Sequence, residues 1–306
     1  MSKNYFRELI IINEIKNPSI VLKEKINKND YDEIRSLETI CVNRDHISFK
    51  LELEYKINNL KQLDTGMANI NDFMFYNEST LIGYVGISDF GGDSIEVNGM
   101  VHPDYRNNGV FTKLFSLVKD EWKKRKQQEM LLLSDSRSVS GIEFIKKVSD
   151  EYDHSEYDMT LNRKSTPEQN HHAIILRKAI SSDSMEIAKM DSSFFELEVK
   201  EDDEFILENI ENGTTFIAEL NDVIIGKVRL ELSDRVGGIY GLGVLSEHRS
   251  KGYGREILTL SVDKLIEIGA YKIMLQVELN NKNALNLYKS CGFEENYVME
   301  YYKMSK

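Results

Sequence analysis

The chain has 306 residues, a length that at about 150 residues per domain favours two domains over one. Its 41% apolar content fills packed cores and excludes global disorder, and no run of about 18 apolar residues offers a membrane span. With 39 basic and 51 acidic residues the net charge is −12, a field that opposes nucleic acid or anionic lipid as principal partner. A small anion held by a few local cations and a helix N-terminus stays compatible with it.

Met1 to Ile20 scatters Lys3, Arg7, Glu8, Glu14 and Lys16 among its apolar residues, unlike a secretory leader. Cys41 and Cys291 are the only cysteines, which excludes a disulfide framework and makes a reduced, cytoplasmic protein the expectation. Val21 to Leu60 reads as a long, charged helical stretch. Phe73 to Ile87, FMFYNESTLIGYVGI, is two apolar runs around a polar turn, a hairpin. Glu96 to Leu114 carries Arg106 and Gly109 into a helix whose Phe111, Leu114, Phe115, Val118 and Trp122 share one face. The basic run Lys123, Lys124, Arg125 and Lys126 follows as a solvated helix end. Leu131 to Leu133 predicts a strand and Gly141 to Lys147 a helix.

Asn162 to His172, NRKSTPEQNHH, is nearly devoid of apolar residues and holds Pro167, as a linker would. Beyond it, Ala173 to Ile180 predicts a strand, and Ser182 or Asp183 caps a helix through Ile187 and Met190. Phe216 to Leu230 is a second hairpin around Asn221-Asp222. Tyr271 to Glu278 alternates as a strand, and Asn283 to Cys291 is a helix ended by Gly292. The two halves share one register: Gly83, Val101, Arg106 and Gly109 each recur 143 positions later as Gly226, Val244, Arg249 and Gly252. Two homologous domains follow, residues 1–165 and 166–306.

The most informative segment is Ile239 to Leu258, IYGLGVLSEHRSKGYGREIL. A strand ends at Val244, and the loop Arg249-Ser250-Lys251-Gly252-Tyr253-Gly254 opens a helix. Glycines there let main-chain N–H groups converge on one ligand, with the helix dipole and the cations Arg249, Lys251 and Arg255 adding positive potential. That is the chemistry of a diphosphate site. It is neither a Walker loop, for no Gly-Lys-Ser/Thr occurs, nor a G-x-G-x-x-G fingerprint, for Ile257 stands third.

This pattern resembles motif A of the GNAT superfamily of acyl-CoA-dependent N-acetyltransferases. Val277 to Phe293, VELNNKNALNLYKSCGF, resembles that family's motif B, and Ile175 to Ala179 its first strand. The resemblance covers about residues 173–304 fully and 73–145 in part. It implies an α/β class, more closely an α+β mixed sheet: two tandem GNAT-like domains, each a mostly antiparallel, splayed central sheet flanked by helices. It further implies acetyl-CoA as co-substrate, bound by Leu242, Val244, Arg249, Ser250, Lys251, Gly252, Tyr253, Gly254, Arg255 and Asn283. Val244 would donate its N–H to the thioester oxygen, and Tyr288 would protonate the departing thiolate. Each position also has an ordinary role open to it. Tyr288 shares an apolar face with Ala284 and Leu287, Asn283 fits a helix N-cap, and Gly241 with Gly243 fits a bulge.

Glu231, Tyr240 and Glu278 border the site as possible bases, with water as the alternative. No histidine or cysteine spacing predicts a metal. The first copy is altered: Phe111 replaces the glycine at Gly254, Ile145 the tyrosine, and catalysis is therefore expected from the second half. The expected acceptor is a primary amine of a small molecule or peptide, with no nucleic acid or membrane partner. A non-catalytic acyl-CoA sensor or scaffold is the rival.

Overall fold

A computed structural model describes residues 14–58, 69–90, 92–162, 173–195 and 204–306. The chain divides into two compact units, Met1–Asp153 with Glu300–Lys306, and His154–Met299. A single cut at 165 would instead leave residues 154–165 with the first half and 300–306 with the second.

In the first unit, β1 (Pro18–Lys23), β2 (Asp72–Asn77), β3 (Thr80–Ser88), β4 (Ser94–Val101) and β5 (Glu129–Asp135) lie side by side in that order. Neighbours are antiparallel except β4 and β5, which are parallel. Helices cover both faces, so the strands read as continuous apolar runs. Phe73, Ile82, Val85 and Val97 pack with α3 (Val110–Trp122), while Met74, Leu81, Tyr84 and Met100 pack with α1 (Lys28–Asp45). The stretch from Val21 is not one helix. Its start is strand β1; α1 opens at a reciprocal Asn27–Asp30 capping box and stops at His46, whose φ is 56°. A short α2 (Leu53–Asn58) follows. Residues 59–60 lie outside the described residues. The basic run after α3 is only partly solvated. Arg125 is buried, donating to the Ile70 carbonyl at 2.6 Å and to Asn71 Oδ1 at 2.8 Å. After β5 comes α4 (Val139–Val148).

The second unit repeats the plan with β7 (Ile175–Lys178), β8 (Thr215–Leu220), β9 (Val223–Ser233), β10 (Val236–Val244) and β11 (Lys272–Glu278), again in spatial order. Residues 154–161 of β6 (Glu151–Leu161) add antiparallel to β11. Flanking them are α5 (Ser184–Phe195), α6 (Glu204–Glu211), α7 (Tyr253–Glu267) and α8 (Lys282–Ser290). Chain residues 293–299 of β12 (Phe293–Ser305) belong here and 300–305 to the first unit. The 143-residue register survives intact: β2 maps onto β8, β5 onto β11, and the starts of α3 and α4 onto those of α7 and α8. The linker sequence from 163 to 172, with His171 and His172, lies outside the described residues.

The feature that shapes each site is a parting of parallel strands. β10 and β11 pair only over Val236–Ile239 with Lys272–Leu275, and β4 and β5 only over Ser94–Val97 with Glu129–Leu132. Beyond those points each sheet opens into a wedge, with a helix N-terminus near its mouth. The wedges differ in one respect. β10 carries a bulge between Tyr240 and Gly243, with Gly241 at φ 54°, whereas β4 keeps unbroken register with β3.

Candidate active site

The loop between β10 and α7 runs through two left-handed residues, Ser250 at φ 60° and Gly252 at φ 90°. A side chain at Gly252 would have open space around it, so its backbone conformation, not crowding, is what favours glycine. The turn leaves a row of donors. Among the described residues, the main-chain N–H groups of Ser250, Lys251, Gly252, Tyr253 and Gly254 have no acceptor within the chain; Arg255 and Glu256 are the first to bond back, both to the Gly252 carbonyl. The helix N-terminus places its partial positive charge at the same point. Such a row of unfilled donors is an anion cradle.

Side chains around the cradle fall into two groups. Arg249 fixes the loop by donating from Nε to the Val244 carbonyl at 2.8 Å, and among the described residues its guanidinium has no carboxylate partner. Lys251 reaches the Glu247 carbonyl at 2.8 Å and is otherwise exposed. These two cations stay at the mouth. Arg255 does not join them. Its guanidinium turns to the end of α8, donating to the Ser290 carbonyl at 3.2 Å and to Ser290 Oγ at 2.7 Å. The last carbonyls of that helix are unfilled acceptors, and they hold the arginine instead of leaving it free for a phosphate.

Leu242 and Val244 pack against the core on the α7 side of β10. The other side of β10 faces α5: the ring of Phe194 lies directly over Gly243, close enough that no side chain fits there. Phe195 approaches Gly241 on the same side. Lys227, on β9 opposite Gly243, is buried and ion-paired with Asp191 of α5, and burial lowers its pKa. Sequence reading missed Phe194, Lys227 and Asp191. The helix register of α5 carried no mark that its end would reach the bulge.

Tyr288 sits on α8 with 8% exposure, 6.2 Å from the Phe293 ring. Burial pushes its phenol up to about 12, so it keeps its proton at neutral pH. Asn283 is exposed in the first turn of α8 and does not cap the helix. The cap is Asn281, whose Oδ1 accepts from Ala284 N at 3.1 Å. Of the three possible bases, Glu231 is ion-paired with Arg229, and the Arg229 guanidinium lies 4.6 Å over the Tyr240 ring. Glu278 stands exposed at the end of β11.

A sheet parted at its parallel pair, with main-chain donors at the next helix, makes an open cleft with an anion-binding mouth. Residues 184–293 match the model of the acetyltransferase (GNAT) family, so the second half carries a GNAT domain, and the first half repeats its strand and helix order. Similarity reaches a mycothiol acetyltransferase of Kocuria rhizophila at 34% identity over 71 residues, which is 23% of each chain. It also reaches an N-alpha-acetyltransferase of Sulfurisphaera tokodaii, 28% identical over 100 residues, covering 28% of this chain and 60% of the relative. The match thus spans less than two thirds of either relative. A solved tandem GNAT protein from the clavulanic acid biosynthesis pathway shares the fold, with a TM-score of 0.71 at 12% identity over 94% of this chain and 98% of that one.

Proposed function

We propose that the C-terminal half transfers an acetyl group from acetyl-CoA to a primary amine of a small molecule or peptide. The observation that carries this reading is the row of five unfilled N–H groups at residues 250–254, set where β10 and β11 part. In it, those amides with Arg249 and Lys251 grip the coenzyme diphosphate. Leu242 and Val244 present strand edge to the pantetheine arm, and the bulge at Gly241 turns the backbone so that Val244 N–H can meet the thioester oxygen. Asn283 remains a coenzyme contact in this proposal; Arg255, held by Ser290, does not.

The amine enters from the α5 side, where Phe194 and Phe195 wall the bulge and Lys227–Asp191 anchors it. Its proton leaves to water or to Glu278, exposed at the end of β11, since Glu231 is held in an ion pair by Arg229. The nitrogen lone pair then attacks the carbonyl carbon: a C–N bond forms, the C–S bond breaks, and the thiolate takes the Tyr288 proton. The net charge of −12 steers cationic acceptors inward. Two buried free thiols, Cys41 and Cys291, fit a reducing, cytoplasmic setting.

Thiol release from acetyl-CoA, measured across polyamines, amino acids, aminoglycosides and peptide N-termini, tests this. Release with at least one amine class, abolished by removing the amine, is the expected result. Tight coenzyme binding with no release for any amine would instead establish the sensor reading.

A further inference from the structure

The two faces of β10 differ beside the point where the strands part. Leu242 and Val244 turn into the core on the α7 face, so Gly243 between them faces α5. The Leu245 N–H bonds across to the Ile225 carbonyl of β9 at 2.9 Å. Main-chain groups alternate in an antiparallel ladder, so the Val244 N–H points the other way, into the opening between β10 and β11. A thioester oxygen bonded there would set its acyl carbons beside Gly243.

Over Gly243 stands Phe194, the penultimate residue of α5. Its ring lies so close to the strand that a single carbon added to Gly243 would collide with it. Neighbours hold that ring in place. It packs with Ile224 and Leu245 on the core between α5 and the sheet, meets Phe195 edge-on at 6.0 Å, and lies 5.9 Å from the Arg249 guanidinium. One turn earlier on α5, Asp191 pairs with buried Lys227, the β9 residue opposite Gly243, and ties the end of the helix to the strands. The glycine lets the ring come down onto the backbone, and the ring takes the space beside β10 that a side chain would otherwise fill.

We propose that Phe194 sets the length of the acyl group, admitting the two carbons of acetyl and excluding a chain of four. The inference rests on the acetyl-CoA reading above and adds the residue that selects the donor. Core side chains fill the α7 face, so carbons beyond the carbonyl turn toward α5 and meet the ring. In an open apolar pocket each further methylene would be buried and would tighten binding. Against a fixed ring it fits only by displacing a packed aromatic side chain, and apolar pockets discriminate one methylene by about 10- to 200-fold.

Calorimetry on the full chain tests this without an acceptor amine. The ligands are coenzyme A, acetyl-CoA, propionyl-CoA and butyryl-CoA, each read at the site that Gly252→Asp removes. The native protein is expected to bind butyryl-CoA at least tenfold more weakly than acetyl-CoA, with propionyl-CoA between them. Phe194→Ala is expected to bring butyryl-CoA within threefold of acetyl-CoA. Phe194→Leu, which keeps an apolar side chain in the core, is expected to fall between, and serves if the alanine variant does not fold. Equal affinity of the native protein for acetyl-CoA and butyryl-CoA would overturn the proposal and leave the acetyl-CoA reading standing. Tenfold discrimination kept by a folded variant would overturn it as well. Binding of none of the four ligands would remove the acetyl-CoA reading and this inference with it.

Discussion

Tyr288 shows how a residue's surroundings decide its chemistry. Burial as the sole cause lifts its phenol to about 12, so the group is a proton source and never a base at physiological pH. Tyr288→Phe is expected to lower kcat by roughly 10²- to 10⁴-fold with coenzyme affinity kept; an unchanged kcat removes the residue from the chemistry. The same shift has a stability consequence. An unfolded phenol ionises near 10 and the folded one near 12, so the contribution is complete below pH 10 and is lost as pH rises toward 12. Alkaline melts should therefore show native protein losing on the order of 2 kcal/mol more than Tyr288→Phe over that window. The side chain's position on the helix was legible in the i, i+3, i+4 spacing of its neighbours. The same apolar face allowed a core position, and at 8% exposure the ring is buried there; the extent of that burial is what periodicity could not give.

At the level of elements, boundaries were more legible than caps. The strands around the loop and the helix after Gly252 fall where alternation and glycine placement put them. The first turn of α8 does not: Asn281, not Asn283, bonds the Ala284 N–H. Two asparagines two residues apart offer the same cap chemistry, and only the chain's entry angle selects between them. Asn281→Ala should cost about 1 kcal/mol in chemical denaturation and Asn283→Ala close to none. The reverse order would move the helix start. Gly241 with Gly243 fitted a bulge in the sequence, and the structure has one between Tyr240 and Gly243, whereas the splay came only with the family resemblance. Gly241 and Gly243 marked a place where backbone is approached, but the approaching group, Phe194, came from a helix far away in sequence.

For the molecule as a whole, the repeat was the most legible feature, since a gapless offset of 143 carries through every strand and helix of the site. What the repeat hid is the fate of its ends. Copies in sequence imply that each half keeps its own last strand, yet residues 300–306 belong to the first unit, where Tyr301 is 1% and Tyr302 5% exposed. Deleting 300–306 should accordingly raise amide hydrogen exchange in β4 and β5 more than in β9 and β10; equal or opposite effects would refute that membership. The central claim, that main-chain donors at 250–254 hold the coenzyme, is tested most directly by calorimetry of acetyl-CoA binding. The comparison is between the native chain and a Gly252→Asp variant, whose added side chain stands in open space at the turn and brings a negative charge to it. Binding by the native protein, and affinity at least 100-fold weaker in the variant, is the predicted result; undiminished binding by the variant would contradict it.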